Sequence, residues 1–360
     1  MKRILAAFVA LTGLTSLRAQ ITINSLDMFY APGQYYRSYA ADGEVSVQGL
    51  LGGVGGPQNW NFSTGPQDAV FRFDYLDPED AGAIASLFPE AKLVERKQVE
   101  NGTVGDAWLF LDQQFGKGRM AYGFYDPAIT GPVGLDDPAG IFDPPLLDFP
   151  EGITLGRSWS GGTVFLNSML GAEMRMTYTS SATADAYGIV TLPKLGFMEC
   201  IRVNELVSTL YEIKFPDAGE DLGTASTGGE FTPVAEYYVR NLYWMAKDRG
   251  IVVQITSRES ATPPPDEFAT AAQFVRMFET NHPKGSTDPW PVTDLSITLG
   301  ESQVLLGWTK PLNATSFRVE HTGALGPDAV WTTLTTTTSN FALDDRVAEG
   351  ARHYRVVSLP

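Results

Sequence analysis

Histidine and cysteine are scarce in this 360-residue chain, and their scarcity excludes several kinds of catalytic site. The three histidines are His282, His321 and His353, so residues 21–280 contain none. A Ser-His-Asp triad, a Cys-His pair and a His-ligated zinc or copper site each need a histidine. Cys200 is the single cysteine, which rules out an intramolecular disulfide. Carboxylate chemistry survives this exclusion; the sequence singles out no catalytic residue and no cofactor, with Ca²⁺ as the one alternative.

Long apolar runs and an excess of basic charge are also lacking. No stretch after residue 20 approaches 18 apolar residues, so we expect no transmembrane helix. The formal net charge is −16, and such an acidic surface repels nucleic acid and anionic lipid. With 36 glycines, 23 prolines and only 19% charged residues, the composition indicates many turns between strands rather than long helices.

The first 19 residues have the pattern of a cleavable secretory signal peptide. Lys2 and Arg3 precede an apolar run from Ile4 to Leu14, and Leu17-Arg18-Ala19 offers a cleavage site. An apolar run of about 11 residues is too short to span roughly 30 Å of hydrocarbon. The sequence therefore predicts a protein that is secreted or held in the cell envelope.

Residues 20–280 predict one large β-rich domain. Alternation of apolar and polar residues over 70–75 and 174–179 is typical of strands with one buried face. A short helix is predicted over 77–87, because Asp77 suits an N-cap and Pro78 the first helical position. Residues 266–279 fit a helical face or a strand, and we favour a strand that returns from the preceding one. The predicted fold class is mainly β, with a large antiparallel curved sheet or sandwich.

A proline-rich linker is predicted over residues 281–291, which read NHPKGSTDPWP. Residues 292–360 follow with the rhythm of six short strands. In this block the spacing Pro-x-x-x-Leu-x-Ile, the residue Trp308, the alternating Phe317 and Val319, and the spacing Tyr354-x-Val356 resemble a fibronectin type III module.

The resemblance covers residues 291–360 and implies a small β-sandwich. Trp308 would pack between its two sheets, and Tyr354 matches the tyrosine-corner position. The family's seventh strand is missing after the sixth. Modules of this family serve as spacers and adhesion units, so the resemblance implies presentation or binding rather than catalysis.

The large domain has a resemblance of its own. Residues 58–63 read QNWNFS, and residues 152–257 show a recognisable succession of strands. These features look like secreted proteins of unknown function from Bacteroidetes-like and Verrucomicrobia-like bacteria. The resemblance implies a large curved antiparallel sheet and a bacterial cell-envelope setting, and it names no reaction.

Three sets of residues are candidates for function, each with a plainer interpretation beside it. Acidic turns can supply the oxygen ligands that Ca²⁺ prefers, and the candidate ligands are Asp126, Asp136, Asp137 and Asp143; residues 217–221 form a similar acidic turn. None of these turns matches an EF-hand loop, and a solvated acidic loop is the alternative interpretation. A second set is aromatic: Trp60, Trp108, Trp159 and Trp244 are candidates for stacking on a sugar, and the alternative interpretation is that they pack in the core. Acids that a glycoside hydrolase would need are available as Asp74, Asp136, Asp137, Asp143 and Glu173, and their spacing selects no pair.

These observations favour an exported, non-catalytic binding or scaffolding protein, whose partner is a protein or glycan at the cell surface. One alternative is a carbohydrate-binding or carboxylate-dependent glycan-active protein. A second alternative is a periplasmic carrier of an apolar ligand, since a curved antiparallel sheet can enclose a cavity.

Overall fold

The structure, a computed structural model, describes residues 21–41, 43–100, 102, 105–114, 116–130, 134–215, 229–282, 292, 295–300, 303–308, 314–326, 329–345 and 352–359. The predicted signal peptide, residues 283–291 of the predicted linker and the acidic segment 217–221 lie outside this range. The chain divides into two compact units, Met1–His282 and Pro283–Pro360.

The described residues of the larger unit form fourteen strands. Their bounds are β1 Tyr35–Ala40, β2 Val45–Ser46, β3 Gly55–Asn61, β4 Ala69–Leu76, β5 Leu93–Val99, β6 Ala107–Gln114, β7 Gly118–Tyr125, β8 Ala139–Pro150, β9 Ser158–Met169, β10 Ala172–Leu192, β11 Gly196–Lys214, β12 Thr232–Ala246, β13 Gly250–Ser257 and β14 Thr270–Thr280. Three 3₁₀ segments accompany them, at Ser25–Asp27, Pro78–Leu87 and Pro127–Ile129.

Twelve of these strands form one antiparallel sheet that closes on itself. The order is β1-β4-β5-β6-β7-β8-β9-β10-β11-β12-β13-β14, and β14 pairs back to β1. The predicted mainly β class, with a large curved antiparallel sheet, is confirmed. Within the described part of the chain, no helix combines the length and the apolar character needed to cross a lipid bilayer.

Strands β2 and β3 lie outside this closed sheet and help to cover it. β2 pairs with β14, and β3 pairs in parallel with the second half of β10. Trp60 and Phe62, at and just beyond the end of β3, pack edge to face on Trp244 of β12, with ring centroids 5.8 and 5.0 Å apart. All three side chains are buried, so this cluster joins the β3 segment to the sheet.

Gly188 is a point of close approach between β10 and β3. A Cβ atom at this position would overlap the backbone of Gln58, whereas a Cβ at Gly162 on β9 would meet its nearest neighbour at an ordinary 3.4 Å. Gly188→Ala is therefore expected to push β3 away from β10 and to lower the free energy of unfolding by about 1–3 kcal/mol. Urea denaturation measures this loss, with Gly162→Ala as the matched control; equal losses in the two variants would contradict the prediction.

The short helix predicted over 77–87 forms as 3₁₀ turns instead of an α-helix. Pro78 stands at the start as predicted, but the Asp77 side chain makes no capping hydrogen bond. Gly82 takes a positive φ of 60° inside the segment, which interrupts the helical path. The segment 266–279 follows the strand interpretation, because residues 270–280 form β14.

The described residues of the smaller unit form two three-stranded antiparallel sheets. Its strands are β15 Ser296–Leu299, β16 Val304–Gly307, β17 Ser316–Thr322, β18 Thr332–Thr337, β19 Phe341–Asp344 and β20 His353–Leu359. The sheet orders are β15-β16-β19 and β18-β17-β20. Trp308 and Phe317 are buried with ring centroids 5.3 Å apart, and the Tyr354 hydroxyl donates to the Asp344 carboxylate at 2.9 Å. Pairs of small sheets occur in many β-sandwiches, so the fibronectin type III likeness stays a prediction.

Candidate functional site

A cavity of about 240 Å³ lies inside the closed sheet. Its lining side chains come from strands on opposite sides of the ring, including β4 to β8 on one side and β12 and β13 on the other. Such strands can share a cavity only where their side chains point into the interior. The lining consists of Met28, Phe29, Tyr36, Phe73, Tyr75, Glu95, Leu109, Arg119, Asp148, Phe149, Tyr243, Ile251 and Gln254.

Strand register explains why these side chains meet. Tyr75 lies directly opposite Glu95, and Glu95 lies directly opposite Leu109. Residues that face each other in an antiparallel pair project on the same side of the sheet. Each of these strands therefore contributes to the same interior wall, and the alternation that builds the core also points a carboxylate inward.

Glu95 is the central acid of the cavity. The Tyr75 hydroxyl donates a hydrogen bond to Glu95 Oε2, and Arg119 Nη1 lies 3.9 Å from the same oxygen. Only 14% of the Glu95 side chain is exposed, and it lines the cavity. Burial raises the pKa of Glu95, and the positive charge of Arg119 offsets this only in part.

Asp148 and Arg119 form the ion pair of the cavity wall. Arg119 donates to Asp148 Oδ2 from Nε at 2.8 Å and from Nη2 at 2.5 Å. The guanidinium also lies over the ring of Phe149, 5.0 Å from its centroid. Burial lowers the pKa of Arg119, but the charges of Asp148 and Glu95, the hydrogen bond to Asp148 and the neighbouring Tyr75 together outweigh burial and leave the pKa above its usual value.

A second buried acid, Glu205, lies near these polar side chains, where β11 pairs with β12. Glu205 accepts hydrogen bonds from the Tyr243 hydroxyl and from Asn241 Nδ2, each at 3.0 Å. Burial raises the pKa of Glu205, and these two donors lower it again in part. Tyr243 itself lines the cavity, so its hydroxyl links Glu205 to the cavity wall.

The arrangement suits binding better than acid–base hydrolysis. A glycosidase needs open space between its two carboxylates for the sugar and water. Here the Arg119 guanidinium stands between Glu95 and Asp148, within 3.9 Å of one and 2.5 Å of the other. Six aromatic rings and a few polar groups complete the lining, and such a mixture is typical of pockets that orient a small ligand.

A second cavity of about 180 Å³ adjoins the first. It shares Glu95 and Leu109 with the larger cavity and adds Lys97, Asp126 and Phe124. Burial lowers the pKa of Lys97, and the negative charge of Asp126 offsets part of this decrease. A third cavity, of about 390 Å³, lies at the glycine-rich turn 47–53, and among its described lining residues Glu267 alone is charged. We therefore centre the candidate site on Glu95 and its neighbours.

The four tryptophans predicted to stack on a sugar do not form an exposed platform. Trp60 and Trp244 are buried, and Trp60 Nε1 donates to the Leu51 carbonyl at 2.9 Å. Trp108 is half-buried beneath the Arg96 guanidinium. Trp159 is half-buried and donates to the Asp148 carbonyl at 3.2 Å, which brings it next to the cavity wall without lining it.

Of the predicted acids, Asp126 lines the second cavity, and the others lie elsewhere in the fold. Asp74 is held by Arg72 and Arg96, and Glu173 pairs with Lys214. Asp126 accepts a hydrogen bond from the Ala128 amide and Asp137 from the Ala139 amide; Asp136 and Asp143 are exposed. Among the described residues, no group of three or more His, Cys, Asp or Glu side chains comes together in a way that could hold a metal ion.

Sequence reasoning missed Glu95, Arg119 and Asp148 as site residues. A signal existed in β5, where Leu93, Glu95 and Lys97 alternate and Leu93 is apolar. Arg96 between them is also charged, so both faces of this strand carry charge and the pattern alone selects neither. Comparison of the chain with known protein families, characterised proteins and solved structures finds no match.

Proposed function

We propose that this chain is an exported, non-catalytic binding protein whose closed sheet holds a small ligand in the cavity around Glu95. The observation that carries the proposal is the composition of that cavity: aromatic rings surround Glu95, Arg119, Asp148 and Gln254 in the interior of the sheet. Pockets for small ligands combine an apolar lining with a few placed polar groups in this way.

The other functions fit these contacts less well. A carrier of a purely apolar ligand would leave the carboxylates of Glu95 and Asp148 facing hydrocarbon, which is costly for buried charge. A glycan-active enzyme would have to displace Arg119 from between these acids. The proposal has two further parts: residues 1–19 direct export of the chain, and the C-terminal module presents the binding domain.

Filling the cavity tests the proposal. Leu109→Trp places a larger side chain at the cavity wall, whereas Leu166→Trp changes a side chain that is 63% exposed. Benzyl alcohol, benzylamine and glucose serve as probes, and the methyl NMR signal of Met28, which lines the cavity, reports binding. We expect at least one probe to shift the Met28 signal in the wild type and in Leu166→Trp, with the shift lost in Leu109→Trp.

The methyl signal of Met198 provides an internal control, because Met198 does not line this cavity. A Met28 signal that stays unchanged with every probe contradicts the proposed function. Shifts that persist in Leu109→Trp, or that appear equally at Met198, place the probes outside the cavity and contradict it as well.

A further inference from the structure

Two carboxylate oxygens of residues that line the cavity accept no hydrogen bond from the described residues, and we call them the open oxygens. Tyr75 donates to Oε2 of Glu95, and both hydrogen bonds from Arg119 go to Oδ2 of Asp148. Among the described residues, none donates a hydrogen bond to Oε1 of Glu95 or to Oδ1 of Asp148. A carboxylate oxygen only accepts hydrogen bonds when ionised, so the bound group should be a donor.

The charges around the cavity favour a positively charged donor. The acids that face it or adjoin it are Glu95, Asp148, Glu205 and Asp126, and the bases are Arg119 and Lys97. Negative groups therefore outnumber positive groups among the described residues. Buried charge of one sign is costly unless it is paired, and a bound cation supplies the pairing.

The aromatic surroundings already accommodate cations. The Arg119 guanidinium lies 5.0 Å from the Phe149 centroid, and Lys97 Nζ lies 4.4 Å from the Phe71 centroid. Attraction between a cation and an aromatic face strengthens when water is excluded. An ammonium group that enters the cavity would meet the same kind of surface together with the two open oxygens.

We propose that the cavity binds a small organic cation, an alkyl- or arylammonium ion, which donates hydrogen bonds to Glu95 Oε1 and Asp148 Oδ1. This proposal rests on the proposed function, since it names the ligand class of the same site. A neutral polyol of similar size could also donate hydrogen bonds, but it would leave the surplus of negative charge unpaired.

Benzylamine and benzyl alcohol test the proposal, because they have similar shape and differ in charge. Titration calorimetry at fixed ionic strength measures both affinities, with glucose as a neutral polyol. We expect benzylamine to bind at least about tenfold more tightly than benzyl alcohol or glucose. Glu95→Gln is expected to weaken benzylamine binding about 10- to 100-fold, as the loss of a buried charged hydrogen bond does. Glu212→Gln, whose carboxylate pairs with Arg175, is the matched control and should bind as the wild type does.

The pH dependence supplies a test that needs no variant. Burial raises the pKa of Glu95, so a falling pH protonates this carboxylate before an ordinary glutamate. Tyr75, Arg119, Asp148 and Lys97 face or adjoin the same carboxylate. Benzylamine affinity should therefore fall as the pH is lowered, beginning above the pH at which an ordinary glutamate is protonated, while benzyl alcohol affinity stays nearly constant.

Each alternative outcome is decisive. If benzyl alcohol or glucose binds as tightly as benzylamine, or if Glu95→Gln retains full affinity, the cation proposal is overturned while the binding function stands. If no probe shifts the Met28 signal, the proposed function fails and the cation proposal fails with it.

Discussion

Arg119→Met is expected to lower the free energy of unfolding by about 3–5 kcal/mol at neutral pH, the loss typical of breaking one side of a buried ion pair. Arg119 is 7% exposed and donates two hydrogen bonds to Asp148. Methionine keeps much of the side-chain length but leaves Asp148 without its partner and Glu95 without its nearest positive charge. Urea denaturation followed by tryptophan fluorescence measures the change.

A double variant separates lost charge pairing from lost packing. In Arg119→Met/Asp148→Asn the uncompensated carboxylate of Asp148 is gone, so a substantial part of the stability should return. Arg175→Met removes an arginine whose side chain is 37% exposed, against 8% for Arg119, and although its partner Glu212 is buried, the loss of stability should be clearly smaller. Equal losses of unfolding free energy in Arg119→Met and Arg175→Met would contradict the prediction that the interior ion pair contributes more to stability.

Trp244→Ala is expected to cost about 3–5 kcal/mol, because it empties a fully buried site. Trp244 has 0% exposure and packs edge to face against Trp60 and Phe62, so its removal also loosens the segment that carries β3. Thermal and urea unfolding report the loss, and Trp108→Ala, at a half-buried position, should cost clearly less.

Trp244→Phe distinguishes ring packing from hydrogen bonding. Trp244 Nε1 is buried and has no hydrogen-bond partner among the described residues. Replacing the indole by a phenyl ring therefore sacrifices volume but no hydrogen bond, and the unpaired N–H disappears. We expect a loss well below that of Trp244→Ala; a loss as large as that of the alanine variant would mean that the indole nitrogen contributes a contact of its own.

Local pattern was enough to predict strands but not their closure. The alternating segment 174–179 lies in β10, where Met174 and Met176 are buried and Arg175 is partly exposed. This is the arrangement expected of a strand with one buried face and one solvent-facing face. That β14 returns to pair with β1 depends on contacts between residues more than 230 positions apart, as for Tyr36 and Thr280. Sequence periodicity carries no information about such pairings.

The same distinction explains the short helix. Asp77 and Pro78 mark its start correctly, since the preference of proline for the first helical position is local, although Asp77 makes no capping hydrogen bond. Gly82 was compatible with a continued helix by composition alone, yet its backbone takes a positive φ and breaks the segment. Glycine permits both outcomes, and only packing selects one.

The candidate site depends still more on tertiary structure. The sequence alone excluded histidine-dependent chemistry from residues 21–280, because this range contains no imidazole. It also determined the mainly β class, because alternation and frequent turns are local properties. Which acids matter was decided by closure of the sheet: it turned Glu95, Asp148 and Arg119 toward one cavity and left Asp74, Asp136 and Glu173 outside it. A charged residue acquires its role from the face on which it lies and from its neighbours across the ring, and both follow from strand register in the folded chain.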